Sequence, residues 1–513
     1  MARKQIEIMD TTLRDGEQTP ELAYSPSEKF QIAQLLLKKV KVDRIEVASA
    51  GASVGEEAAV RRITRWAKRG GLLDRVEILG FVDGKHSADW ISQNGGSVMN
   101  LLTKGSRRHC EGQLGITPER HFKAISESIR YARRLGLTVN VYLEDWSNGV
   151  QQSFEYVFGH VQNLSALGVR RVLLPDTLGI LSPSDISDFV GLMVRSWPEL
   201  HFDFHGQNDY GLATANSLAA VQAGARGVHT SVNGLGERAG NTHLAEVAAV
   251  LRDMSGTKTG IDETKLGAIS DMVAAFAGKT IADNSPIVGR DVFTHTSGVH
   301  ADGDAKGRLY ESSLVPKRFG RRQRYALGKL SGKASVDQNL RTLGMSLSPE
   351  NRDLVLRRVV ELGDKKHTVT TADLPLIVAD VLKTPEEQLV RIESYETHST
   401  SDRLPSATVR VSFGGKTVEA SATGDGGYDA FMKSLSKIAR KLNLKLPMLV
   451  DYRVRIPPGG RSGALVETVI TWRTGPRAEA FSTLGVDSDQ VQAAVVATEK
   501  MLNMITRRSS PMK

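Results

Sequence analysis

The stretch HFDFHGQND, residues 201–209, alternates aromatic and polar side chains for its first five positions and then breaks into a Gly/Asn/Asp turn. A strand period of two puts His201, Asp203, His205 and Gln207 on one face and Phe202 and Phe204 on the other. The aromatic face suits packing against helices, and the His/Gln face then looks into the interior of a closed sheet, near its mouth. Seven similar segments support this: QIEIMD, RIEVASA, VEILGFV, VMNLLT, TVNVYLED, RVLLPDT and GVHTSVNG recur at intervals of roughly 20–40 residues with helical patterns between them. One helix start is well marked in SPSEKFQIAQLLLKKV, where Ser25 is the N-cap, Pro26 the first helical residue and Glu28 the third after the cap. Strand and helix alternating eight times predict an α/β fold, a (β/α)8 TIM barrel over about residues 1–270, with a doubly wound open sheet as the alternative.

The texture then changes twice. Residues 271–390 read as mostly helical connecting subdomains, with a polar Gly-rich segment, TSGVHADGDAKGRLY, near their start. Residues 391–513 contain two units, each of three strands and a helix, the first helix starting at Tyr428 and the second near Ser488; PPGG at 457–460 supplies a turn. This predicts a duplicated C-terminal α+β domain.

Composition narrows the function classes. The 513 residues are 40% hydrophobic and 24% charged, with a net charge of +9, as in ordinary globular proteins. No apolar run approaches the roughly 18 residues that cross a bilayer, and the N-terminal MARKQIEIMD has no signal-like apolar core. A cytoplasmic location and no membrane partner are expected. The single cysteine, Cys110, excludes an intrachain disulfide and a cysteine-based zinc site; a packed or surface thiol is its simplest reading. Basic residues are scattered in pairs, except in KRFGRRQR (317–324). With no groove-binding motif or aromatic string, that run reads as a solvated face or a site for a small polyanion, and no nucleic acid is expected.

In a barrel of this kind chemistry sits at the C-terminal ends of the strands. Those ends are polar here: DTTLRDGEQ, LEDWSNG, PDTLG, HGQND and NGLGERAGN follow strands one, five, six, seven and eight. A single buried His is more often a hydrogen-bonded core residue than a ligand, but around a closed barrel His205 has near it the acidic RDG turn of strand one and the Asn-bearing glycine loop of strand eight.

These motifs, in this order and followed by a duplicated domain, resemble the isopropylmalate, homocitrate and citramalate synthase family of TIM-barrel metallolyases. The resemblance spans nearly the whole chain, and GDGGYDAFM, DYRVRIPPGG and SGVHADGD place it nearest the citramalate branch. It implies an acyltransferase that condenses acetyl-CoA with pyruvate and water to (R)-citramalate and CoA, on a route to isoleucine. By position, the resemblance makes Asp15, His205 and Asn241 ligands of a divalent metal (Mn2+, Mg2+ or Zn2+). The family's second histidine ligand is replaced by Gln207, whose neutral amide oxygen favours Mn2+ or Mg2+ over Zn2+. Arg14 resembles the arginine that stabilises developing negative charge. Glu144 and His300 resemble the acid/base pair, His300 being supplied by a partner subunit of a homodimer. Thr177 would hold the substrate carboxylate, and Asp302 and Tyr310 the acetyl-CoA side. Leu79, Leu102 and Tyr142 resemble the residues that shrink the pocket to pyruvate; ordinary barrel packing is their plain alternative, and a salt bridge closing the barrel mouth is that of Arg14 and Glu144. Tyr428, Asp429, Leu449, Tyr452, Ile456 and Val466 are the candidates for an effector site, expected to take isoleucine. Three other readings stay open: a 2-isopropylmalate synthase using 2-oxoisovalerate, a hydroxymethylglutaryl-CoA-type lyase, for which Cys110 is poorly placed, and a catalytically silent amino-acid-binding regulator kept plausible by Gln207.

Overall fold

The structure, a computed structural model, describes residues 6–343, 345–364, 369–382, 390–455, 466–475, 478 and 480–509. Eight parallel strands close into a barrel in chain order: β1 (Glu7–Asp10), β2 (Arg44–Ser49), β3 (Val76–Phe81), β4 (Val98–Lys104), β5 (Thr138–Glu144), β6 (Arg171–Asp176), β7 (His201–Gly206) and β8 (Gly227–Thr230). Closure is made by β1 against β8, with Glu7 opposite Gly227 and Asp10 opposite Thr230. The first helix, Pro26–Leu35, starts as read from the sequence: Ser25 Oγ accepts the Glu28 amide and the Glu28 carboxylate accepts the Ser25 amide.

The main core lies between strands and helices, where Ile8, Ile45, Val47, Ile78, Leu101, Val141, Leu174, Phe202, Phe204 and Val228 are buried against the helix ring. The alternate residues face inward, and near the N-terminal ends of the strands these are charged. Arg44 donates to Glu7 (3.0 Å), Glu77 (2.8 Å) and Asp203 (2.5 Å), and Arg171 donates to Glu7 (2.8 Å) and Asp203 (3.1 Å). Asn100 donates to both Glu46 (2.7 Å) and Glu77 (2.8 Å), and Asn140 donates to Asn100 (2.9 Å). Such a layer tolerates burial because each charge has an opposite charge and hydrogen bonds around it.

By contacts the chain divides into two compact units, residues 1–293 with 312–322, and residues 294–311 with 323–513. In the basic run Lys317, Arg322 and Arg324 are exposed, as a solvated face requires, while Arg318 and Arg321 are turned inward. Arg318 is tied to Asp253 and Glu263, and Arg321 donates to the carbonyls of Ile287, Val288, Gly289 and Arg290. The polyanion-site reading is therefore corrected for these two residues, whose donors are spent on internal oxygens. Cys110 is buried with its thiol 3.4 Å from the Ile116 carbonyl, a packed residue.

The second unit contains a small pair of parallel strands, β9 (Thr294–His295) and β10 (Arg324–Tyr325). The Gly-rich segment between them is a helix, Gly298–Gly307, despite its three glycines; packing overrides weak local propensity here. Further helices span Lys333–Thr342, Pro349–Asp364 and Leu374–Leu382. The duplicated region is two antiparallel three-stranded sheets: β11 (Val390–His398), β12 (Ser406–Phe413) and β13 (Lys416–Thr423), then β14 (Met448–Arg455), β15 (Val466–Arg473) and β16 (Ala480–Asp487). Helices Gly427–Lys441 and Gln490–Ser509 follow them, and Phe431, Leu435, Ile470, Trp472 and Met501 share one core. No helix among the described residues is long and apolar enough to cross a membrane.

Candidate active site

The loop after β1 is wound tightly. The carbonyl of Thr11 accepts the amides of Arg14, Asp15 and Gly16 (2.9–3.0 Å), which sets the Arg14 and Asp15 side chains over the barrel mouth. Below them Lys29, fully buried on the first helix, donates to the carbonyls of Leu13 (2.9 Å) and Val47 (3.4 Å) and pairs with Glu17 (2.6 Å) and Glu56 (2.5 Å). Arg14 is held between two carboxylates, Nε on Glu46 at 2.5 Å and Nη1 on Asp15 at 3.3 Å. Burial alone raises the Asp15 carboxyl, but Arg14 and His205 outweigh it and hold the group well below the usual carboxylate range.

β7 carries His205 to this turn, its Nε2 3.1 Å from Asp15 Oδ2 but off the line of a good hydrogen bond. Gln207 forms an antiparallel bridge with Asn241 in the loop after β8, and Asn241 lies beside the Asp15 carboxylate. The loop needs its glycines: a Cβ on Gly236 would sit 2.5 Å from the Asn241 amide nitrogen, and one on Gly240 1.9 Å from the Gly234 carbonyl oxygen. Arg238 fastens the same loop, donating to Asp209 (2.7 and 3.0 Å) and to the Thr177 carbonyl (2.8 Å).

Four buried polar atoms here lack a hydrogen bond: Asp15 Oδ2, His205 Nδ1, Gln207 Oε1 and Asn241 Oδ1. Orphaned buried acceptors are costly, and the oxygens of Asp15, Gln207 and Asn241 are ligand types that fit a cation; His205 meets Asp15 through Nε2, so that nitrogen, not Nδ1, would be its ligand atom. Among the described residues no three His, Cys, Asp or Glu side chains gather as a metal site. Two of the four donors being amides accounts for that, and the oxygen-rich set fits a hard divalent ion.

At the end of β5, Glu144 pairs directly with Lys104 of β4. The Lys104 backbone is fastened behind the barrel: its carbonyl accepts Tyr156 Oη (3.0 Å), which also hydrogen-bonds His121 Nδ1 (2.8 Å). Burial pushes His121 down to about 4 and the neighbouring His160 to about 3, so both rings are neutral at pH 7. After Glu144, Asp145 sits in the left-handed region (φ 66°), its carboxylate taken by Ser106 (2.7 Å) and Asn148 (2.7 Å). A non-glycine residue held there by its surroundings marks stored strain beside the site. Thr177 lies at the end of β6 with its hydroxyl accepting the Asp145 amide (2.9 Å). Arg14 and Glu144 do not pair with each other; each has its own counter-ion.

Met9, Leu79, Tyr142 and Leu173 form a separate buried apolar cluster inside the barrel, with Leu102 partly exposed above it. Leu79, Leu102 and Tyr142 are thus brought together, and Arg14 lies 5.8 Å from the Tyr142 ring centroid. Sequence reasoning missed Met9, Leu173, Glu46, Lys104, Lys29 and His229; a charge interrupting the apolar strand RIEVAS was the available signal for Glu46, and a charge closing VMNLLTK that for Lys104.

In the second unit the rings of His300 and Tyr310 meet at a tilt with centroids 4.2 Å apart, and His295 pairs with Asp304 at 3.1 Å beside them. Asp302 is exposed and paired with Lys306. Of the effector candidates, Tyr428 and Tyr452 meet with ring centroids at 5.1 Å, and Tyr428 Oη is 2.7 Å from Thr498 Oγ1. Asp429 turns to Lys433 (2.6 Å), Leu449 is exposed and Val466 is buried at the start of β15. Ile456 and the PPGG turn lie outside the described residues.

Three family models match: HMGL-like over residues 5–273, homocitrate synthase post-HMGL domain-like over 287–367, and LeuA allosteric (dimerisation) domain over 368–506. A Methanopyrus kandleri protein with a provisional (R)-citramalate synthase name is 35% identical over 89% of this chain and 88% of its own. The (R)-citramalate synthase of Methanocaldococcus jannaschii is 32% identical (98% and 99%), and the 2-isopropylmalate synthase of Aquifex aeolicus 31% (98% and 96%).

Proposed function

The chain belongs to the HMGL-like synthase family that carries a LeuA allosteric domain, and we propose that it condenses acetyl-CoA with pyruvate and water, giving (R)-citramalate and CoA. The observation that carries the choice of pyruvate is that the bulky side chains of Leu79, Leu102 and Tyr142 pack in one cluster with Met9 and Leu173 beside Arg14, which favours the smallest 2-oxo acid. In this reading residues 1–270 perform the chemistry, 271–390 connect, and 391–513 sense an amino acid.

Arg14, pinned by Asp15 and Glu46, meets the negative charge that develops on the keto oxygen. Glu144 takes a proton from the thioester methyl, and the new carbon–carbon bond forms at the keto carbon of pyruvate. Lys104 offsets the Glu144 charge when the carboxylate is bare. Thr177 orients the oxo-acid carboxylate; in this reading the second acid/base group is His300 supplied by the second subunit of the homodimer, with Asp302 and Tyr310 on the acetyl-CoA side. Hydrolysis of the thioester by water then releases CoA. A divalent ion held by Asp15, His205, Gln207 and Asn241 supplies Lewis acidity toward the 2-oxo acid when bound; the amide donors favour Mn2+ or Mg2+.

The LeuA-type domain supports a homodimer; a cytoplasmic location and isoleucine as effector, near the Tyr428–Tyr452 ring contact, complete the proposal. The test is CoA release, followed with a thiol reagent, from purified protein with acetyl-CoA and Mn2+. Release with pyruvate but not 2-oxoisovalerate is expected; release with 2-oxoisovalerate alone would make it a 2-isopropylmalate synthase. No release with either acid under several metals would favour a silent regulator.

A further inference from the structure

Tyr142 is held by more than its apolar neighbours. Its hydroxyl lies 3.0 Å from Nδ1 of His229, and Nε2 of His229 lies 3.1 Å from Oδ2 of Asp203. Asp203 also receives Arg44 (2.5 Å) and Arg171 (3.1 Å). Tyr142, His229 and Asp203 are 2%, 1% and 0% exposed. The hydrogen-bond polarity of this chain follows from its lower end. Two guanidiniums keep Asp203 a carboxylate, which only accepts. The His229 proton therefore sits on Nε2, Nδ1 offers a lone pair, and the Tyr142 O–H donates to it. The phenol oxygen then has only lone pairs left, and Arg14 Nη2 donates toward them at 3.5 Å.

We propose that His229 is a positioning residue for oxo-acid selection: by accepting the Tyr142 hydroxyl it fixes the ring that walls the pocket beside Leu79 and Leu102, and turns the phenol oxygen toward Arg14. The selection role rests on the synthase reading above; the bond polarity does not. A ring free at its hydroxyl end moves, the pocket widens, and the preference for the smallest acceptor falls. His229 acts through Tyr142 and touches no reacting atom.

The test uses the full-length protein and its kcat/KM for pyruvate and for 2-oxobutyrate. His229→Leu and Tyr142→Phe should each lower the pyruvate preference by about tenfold, the scale of one methylene in an apolar pocket, with KM for pyruvate rising more than kcat falls. The double variant should be no worse than the poorer single, since both remove one bond. His229→Gln, whose amide can donate to Asp203 and accept from Tyr142, should restore most of the preference. Additive losses, or an unchanged preference in His229→Leu, would overturn the selection role. Nitrogen NMR of histidine-labelled protein, assigned with His229→Leu, should show His229 protonated at Nε2 alone; an Nδ1–H ring would overturn the polarity. If the wild type releases no CoA with any oxo acid, the synthase reading and the selection role fall together, while the NMR result still decides the bond polarity.

Discussion

Replacing Lys29 with Met is the most direct probe of how the Arg14–Asp15 turn is held. The ammonium is fully buried among four oxygens, two carbonyl and two carboxylate, and Met keeps the apolar stem while deleting the charge. The Glu17 and Glu56 side chains are 20% and 16% exposed, so water can reach them only in part. Burial already holds the Glu56 carboxyl above its usual range despite Lys29, and losing the cation raises it further. Breaking a buried pair costs roughly 3–5 kcal/mol, and the residual exposure argues for the low end, about 3 kcal/mol. At about 1.5–2 °C per kcal/mol for a unit of about 300 residues this lowers Tm by about 5–6 °C. Scanning calorimetry and circular dichroism read the shift. Adding Glu56→Gln to the Met variant should recover part of it, because a neutral amide replaces the stranded carboxylate. A loss under about 2 °C, or no recovery in the double variant, would refute the reasoning that Lys29 is an electrostatic clamp.

Three further outcomes are expected. His121 and His160 are depressed to about 4 and about 3 against about 6.5 in the unfolded chain, so their contribution is present above pH 6.5 and is lost as pH falls toward those values. Between pH 6.5 and 5 each ring should cost about 2 kcal/mol, seen as a falling urea midpoint whose slope is shallower in His160→Phe. Gly105→Ala would put a Cβ 2.3 Å from the Leu143 carbonyl oxygen; urea titration should show a loss of about 1–3 kcal/mol, and kcat should fall because the displaced strand end carries Glu144. Gln207→His should tighten Zn2+ relative to Mn2+ by tenfold or more, about 1.4 kcal/mol, read by isothermal titration calorimetry; an unchanged ratio would mean that residue 207 is no ligand.

The barrel was legible because its strands obey two overlapping rules. Outward residues such as Ile45, Val47, Phe202 and Phe204 make the apolar runs, and the polar interruptions Glu46, Glu77, Asn100, Asn140, Asp203 and His229 fall at the alternate, inward positions. The strand ends bearing Asp15, Glu144, His205 and Asn241 were visible as polar motifs. What the chain order hid were partnerships across the barrel. Nothing local says that Arg14 takes Glu46, thirty-two residues away, or that Glu144 takes Lys104, forty residues back, because strand neighbours are distant in sequence. The Gly298–Gly307 helix was missed because glycine content reports local preference, and the ring contact of His300 with Tyr310 and burial of Ala301 are tertiary.

The ionic layer near the strand starts also bears on how such a barrel can be assembled. Arg44 of β2 reaches Asp203 of β7, and Arg171 of β6 reaches Glu7 of β1, so its pairs join the first four strands to the last four. A fragment ending after β4 would keep Arg44 with Glu7 and Glu77 but without Asp203; one beginning at β5 would keep Arg171 with Asp203 but without Glu7. Either half would have to shield incompletely matched charges, so the halves make poor independent modules. Any scheme that splits, duplicates or recombines this barrel at its midpoint must redesign those four strands' inner faces first.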